Sequence, residues 1–235
     1  IIYAIQEDLI GYTTRIALGV LFGVVLVAVG DRFFDREGYR VWSMISIGAG
    51  IGIAYFSVYA SWGFEDYREA MGMTPTLNIV LLTLVIVGAL ALSVYRETWV
   101  IGAEAFVLGY TTAFLVPEPG VVPLFYVFIL SLMSVGFAWQ MDWNWARLGV
   151  VGILGSYGVF VWWADATDAE PLSVAYGFLV AYGVVFVAYS FVCERRHKGV
   201  DEMKIAAING LNAFFFYLLF HTVTQDRFEE FVGVA

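Results

Sequence analysis

"LLTLVIVGALAL", residues 81–92, carries no charge and no alternation of apolar with polar side chains. A half-buried strand alternates with period two, and a membrane β-strand does so in segments of about ten residues. This run does neither, and "YGVVFVAYSFV" at 182–192 reads the same way. Outward from 81–92, the charge-free stretch extends back past Pro75 and forward to Arg96. Proline suits the first turn of a helix, where its missing N–H costs nothing. Residues 75–94 are therefore expected to form one helix, long enough to cross a hydrocarbon layer of about 30 Å.

The same test along the chain gives eight spans, near 13–30, 41–60, 75–94, 99–116, 122–140, 148–164, 172–192 and 205–223. Short turns separate them, and "PEPG" at 117–120 breaks the fourth from the fifth. The expected fold is an all-α polytopic transmembrane helical bundle, a single domain over 1–235. Composition agrees. Of the 235 residues, 61% are hydrophobic and 14% charged, against about 25% charged in a soluble domain.

With eight spans, turns alternate between two sides. Arg32, Arg36, Arg40, Arg96, Arg147, Arg195, Arg196, Lys198 and Lys204 fall on one side; Arg15, Arg68 and Arg227 fall on the other. Basic residues in short turns stay cytoplasmic. Turns 31–40, 95–98, 141–147 and 193–204 are thus expected inside, with 61–74, 117–121, 165–171 and both ends of the chain outside, in a cell-membrane protein. The acids lean the other way, with Glu65, Asp66, Glu69, Glu118, Asp165, Asp168 and Glu170 among those outside. An acidic outer face, with two Lys against ten Arg, fits a high-salt habitat; ordinary solvated loops account for it equally. All eight Trp fall near span boundaries, as an aromatic belt would: Trp42, Trp99, Trp139, Trp143 and Trp145 inside, Trp62, Trp162 and Trp163 outside.

Several chemistries are excluded. The one cysteine, Cys193, cannot form an internal disulfide. His197 and His221 fall on opposite faces, which argues against a paired-histidine haem site or a zinc site. Lys198 and Lys204 border turns, leaving no mid-helix lysine for a retinal Schiff base. No phosphate-loop, serine-hydrolase or zinc-protease motif occurs. No cofactor, metal or nucleic-acid partner is expected. Small residues recur four apart at Gly19/Gly23, Gly48/Gly52, Ala105/Gly109, Gly152/Ser156 and Gly177/Ala181; such pairs let helices approach closely, and packing within the chain is the favoured use.

Glu104, in "WVIGAEAFVLGY" at 99–110, is the acid that falls inside a span. It lies about 7 to 8 Å from the start of its helix at 1.5 Å per residue. A carboxylate facing lipid there is costly, so it must face protein or water. The last span enters from the same side and offers Asn209 and Asn212, three residues apart, as partners for a protonated Glu104. Interhelical hydrogen bonding is the favoured role of this polar cluster; a proton- or cation-responsive site is the other.

One resemblance adds to this reading. Gly11, Arg15, Gly19 and Gly23, the basic turn "REGYR" at 36–40, and Gly48, Gly50 and Gly52 followed by "AYFSVYA" resemble the domain-of-unknown-function 2339 family of predicted multi-pass membrane proteins. "GYTTAFLVPEPG" at 109–120 and "AINGLNAFFFYLLF" at 207–220 resemble later parts of it. The family brings no assigned activity. It implies that "IIYAI" at 1–5 is the tail of a preceding helix, and that these residues are a portion of a longer chain.

The functional expectation is a non-catalytic membrane scaffold or accessory subunit. Its partners would be membrane lipid and other membrane subunits or further copies of itself. The alternative is a transporter or channel for a small ion or apolar solute using Glu104. A lipid-handling enzyme is a weaker third, since no catalytic constellation supports it.

Overall fold

The computed structural model describes residues 10–116, 120–140, 147–167, 169, 171–196 and 202–233, with side chains to Thr224 in the last helix. Trp143, Trp145, His197, Lys198, Glu118, Asp168 and Glu170 lie outside the described residues. Among those described, the elements are all helices: α1 (Tyr12–Phe33), α2 (Arg40–Gly63), α3 (Glu65–Met71), α4 (Pro75–Tyr95), α5 (Trp99–Phe114), α6 (Val121–Gln140), α7 (Leu148–Thr167), α8 (Leu172–Arg196) and α9 (Glu202–Gly233). Seven are long and apolar enough to cross a membrane, and α5 is a shorter apolar helix of 16 residues, about 24 Å at 1.5 Å per residue. Eight spans were expected; the eighth is this short one.

The ends follow local chemistry. Thr74 caps α4 by accepting from the Leu77 N–H at 3.3 Å, and Pro75 follows as its first residue. The 61–74 segment, expected as a plain turn, contains α3, which closes at Gly72 with φ +58°. There the Gly72 and Met73 N–H groups reach back to Glu69 O and Arg68 O.

The chain divides into two compact units, residues 1–108 and 109–235, with the division inside α5. In the first unit α1 and α2 run antiparallel with their backbones in contact. A Cβ on Gly23 would lie 2.6 Å from Gly50 O and 2.9 Å from Ala54 N; one on Gly30 would lie 2.8 Å from Ser43 O. Gly19 fits against Ser57, and Ser46 Oγ donates to Leu26 O at 2.9 Å. Glycine here replaces the hydrophobic drive that lipid cannot supply, because close backbones gain dispersion contacts and admit interhelical hydrogen bonds. Leu18, Leu21, Phe22 and Val25 of α1 stay exposed.

In the second unit, buried hydroxyls tie the helices. Tyr182 Oη on α8 donates to Leu124 O on α6 at 2.8 Å, and Tyr189 Oη accepts from the Gly149 N–H at the start of α7 at 3.0 Å. Ser131 and Ser156 join α6 to α7 at 2.7 Å, with Tyr110 Oη of α5 accepting from Ser156 at 3.5 Å. Not every expected small pair packs: among the described residues Gly177 has nothing within 4 Å of its Cβ position. Trp163, expected in a boundary belt, is 1% exposed and belongs to the core beside Phe160. Trp42 and Trp139, by contrast, are exposed. Cys193 is buried.

The Gly23 contact sets a test. Gly23→Ala forces a methyl group against backbone and should cost about 1–3 kcal/mol, whereas Gly88→Ala enters open space and should be neutral or stabilising. Thermal unfolding in detergent compares them; equal behaviour would mean that α1 and α2 do not meet through Gly23.

Candidate functional site

The start of α5 is set by a turn with little freedom. Thr98 N–H bonds to Ser93 O at 3.0 Å, Ser93 Oγ returns to Thr98 O at 2.9 Å, and Glu97 takes a positive φ of 49°. Arg96 in this turn reaches the far end of α1. Its Nε bonds to Asp31 Oδ1, its Nη2 donates to Asp31 O at 3.0 Å, and its Nη1 donates to Asp35 Oδ2 at 2.9 Å. The guanidinium also lies over the rings of Phe34 and Tyr95, at 5.2 and 4.8 Å. The two carboxylates raise its pKa above the ordinary arginine value, so it stays charged. The Arg96 side chain is 13% exposed, Asp31 33% and Asp35 81%. An ion pair facing water contributes little, so the Asp31 limb holds most of this clamp.

From there α5 runs along α2 in the same direction. Glu104 lies beside Gly48 and Gly52, and one turn further on Tyr55 Oη donates to Leu108 O at 3.4 Å. A Cβ on Gly48 would sit 2.7 Å from Glu104 Oε2, and one on Gly52 would sit 4.0 Å from Oε1. Gly48 thus makes room for the carboxyl. The expectation that Gly48 and Gly52 pack a helix backbone needs correction: Gly50 takes that role against α1, because residues two apart on a helix face different ways. Glu104 is half-buried. Within its unit and among the described residues its carboxyl has no hydrogen-bond or ion-pair partner.

Asn209 and Asn212 belong to the second unit. Asn212 is buried and engaged at both ends of its amide: Oδ1 accepts from Tyr157 Oη at 2.7 Å, and Nδ2 donates to Gly183 O at 3.1 Å. It therefore links α7, α8 and α9. Asn209 is exposed. Neither meets Glu104 within one unit, and their pairing with it stays an expectation. The sequence reading missed the polar residues that do the linking, namely Tyr110, Tyr157, Tyr182 and Tyr189. For Tyr110, Tyr157 and Tyr182 the available signal was their place in mid-span, away from the boundaries where amphipathic rings ordinarily sit; Tyr189, near the end of its span, gave no such signal. It also missed Asn78 of α4, 1% exposed, whose Oδ1 has no partner among the described residues. No group of three or more metal-ligating side chains occurs among the described residues.

Seven membrane-scale helices among the described residues, tied by internal hydrogen bonds, define a multi-pass α-helical membrane protein. The chain belongs to the DUF2339 family, described as predicted membrane proteins, whose model matches residues 1–231. Comparison with curated proteins and with solved structures finds no match.

Proposed function

We propose that the chain is a non-catalytic membrane scaffold or accessory subunit, with lipid and other membrane subunits, or further copies of itself, as its partners. The observation that supports this reading is the continuity of α2 and α5 where Glu104 lies. Transport sites near the membrane midplane are commonly built from broken helices, whose freed carbonyls and N–H groups bind the ion or solute. Here both helices run on past the carboxyl, so their backbone groups stay within the helices. The buried tyrosine and asparagine hydrogen bonds of the second unit favour a fixed framework in the same way.

One observation favours the other reading, a transporter or channel for a small ion or apolar solute. Among the described residues of its unit Glu104 has no polar partner, while hydroxyls such as Thr83 and Ser131 bond a carbonyl one turn back. A carboxyl left so could couple or select. Proteoliposomes loaded with a pH-sensitive or a potassium-sensitive dye separate the two. The scaffold reading expects flux no greater than that of empty liposomes, and no change in flux or stability with Glu104→Gln. A flux above that blank, removed by Glu104→Gln while the fold survives, would transfer the assignment to the transporter.

The proposed orientation puts the basic turns, including 34–39 and 96–98, in the cytoplasm. A Cys193→Ser chain with Glu37→Cys should react with an impermeant maleimide only after cell lysis, and one with Glu69→Cys in intact cells. The opposite pattern would invert the topology.

A further inference from the structure

The turn between α1 and α2 is well formed. Phe34, Arg36 and Tyr39 N–H groups bond in succession to Asp31, Phe33 and Arg36 carbonyls, and Gly38 takes φ +80°. Its charges read as balanced in the sequence, with Asp31, Asp35 and Glu37 against Arg32, Arg36 and Arg40. The fold undoes that balance. Arg96, some sixty residues away in the chain, takes both Asp31 and Asp35. Glu37 is then the one acid of the turn that Arg96 does not engage. Arg32, Arg36 and Arg40 are all exposed, and none has an ion-pair partner among the described residues.

These arginines are presented rather than loose. The Arg36 guanidinium lies 4.6 Å from the Phe33 ring centre, and that of Arg40 lies 5.6 Å from the ring of Phe34. Beside them, Tyr39, Val41 and Trp42 are 54%, 62% and 71% exposed. The turn lies at the end of two membrane-scale helices, so these side chains meet the level where acyl chains give way to headgroups. An amphipathic indole suits that level. Guanidinium groups bind phosphate oxygens through paired N–H donors.

We propose that the α1–α2 turn is a binding surface for anionic phospholipid headgroups, with Arg32, Arg36 and Arg40 meeting the phosphate and Trp42 lying against the adjoining acyl chains. Charge complementarity selects the occupant. A zwitterionic headgroup carries its own cation, which the exposed guanidiniums repel, whereas a net-negative one leaves the phosphate to them. Arg96 belongs to this surface indirectly: by engaging two carboxylates it keeps the three arginines available to lipid.

The test uses the full chain, delipidated in a neutral detergent and titrated with dioleoyl-phosphatidylglycerol or with dioleoyl-phosphatidylcholine. Bound lipid is counted by native mass spectrometry. The wild-type chain should prefer the anionic lipid. Arg32→Gln, Arg36→Gln and Arg40→Gln should each weaken its binding about fivefold, and together on the order of a hundredfold, with phosphatidylcholine binding unchanged. Where the triple variant does not fold, the single variants decide the matter. The double variant Arg195→Gln/Arg196→Gln, which alters the end of α8, should stay within about twofold of wild type. Three results would each overturn the proposal: an unchanged lipid preference in the arginine variants, an equal loss in the α8 variant, or displacement of the lipid by millimolar sodium phosphate, which would identify a free-anion site instead.

Discussion

Hydrocarbon offers no hydrogen-bond partner, and this constraint orders most of what the chain does with its polar side chains. Ser57, Thr83, Ser131 and Thr167 return their hydroxyls to the carbonyl four residues back, at 2.7 to 2.9 Å. The larger polar groups reach across helices instead, Tyr182 to Leu124 O and Asn212 to both Tyr157 and Gly183. Where water is within reach the rule relaxes: Asp35 is 81% exposed at the rim of the Arg96 clamp. Glu104 and Asn78 test the constraint: among the described residues the Glu104 carboxyl rests against glycine rather than on a donor, and Asn78 Oδ1 has no partner.

Close approach of backbones is the second organising element, and it follows from the first. Lipid is as apolar as leucine, so burying leucine gains little and α1 buries chiefly glycines, Gly23 and Gly30. Its large side chains remain outside. The glycines of α2 divide the labour by helix geometry. Gly50 faces α1, while Gly48 and Gly52 face α5, so one glycine-rich segment serves two neighbours. At the ends of α1 and α4 the Arg96 clamp adds a polar tie between helices.

The helices were legible in the sequence because the solvent enforces them: a charge-free run near twenty residues long has few alternatives in lipid. Pro75 marks the start of α4 and acts there as its chemistry implies, and the structure adds Thr74 before it as the cap. Glu104 was legible as an oddity, since a carboxylate in a span is conspicuous. Its surroundings were not, because helical spacing names the residues on a face without naming the helix opposite. The partner of Arg96 was hidden for a related reason. Counted by sidedness, Arg96 and Asp31 are two charges of one surface, and only packing makes them a pair. The linking tyrosines escaped because a tyrosine in a span looks like any other aromatic residue until its hydroxyl has an address. The short α3 escaped because seven residues are too few to show a helical period.

The setting of Glu104 depends on α5 lying along the glycine face of α2 with Glu104 at Gly48, and cross-linking measures that placement most directly. In a Cys193→Ser background, the pair Gly48→Cys and Glu104→Cys should join efficiently through a short thiol-specific bifunctional reagent in native membranes. The pair Gly88→Cys and Glu104→Cys should not, since the Gly88 face of α4 is open. Failure of the first pair, or equal yield from both, would place Glu104 elsewhere and contradict the arrangement from which its role has been argued.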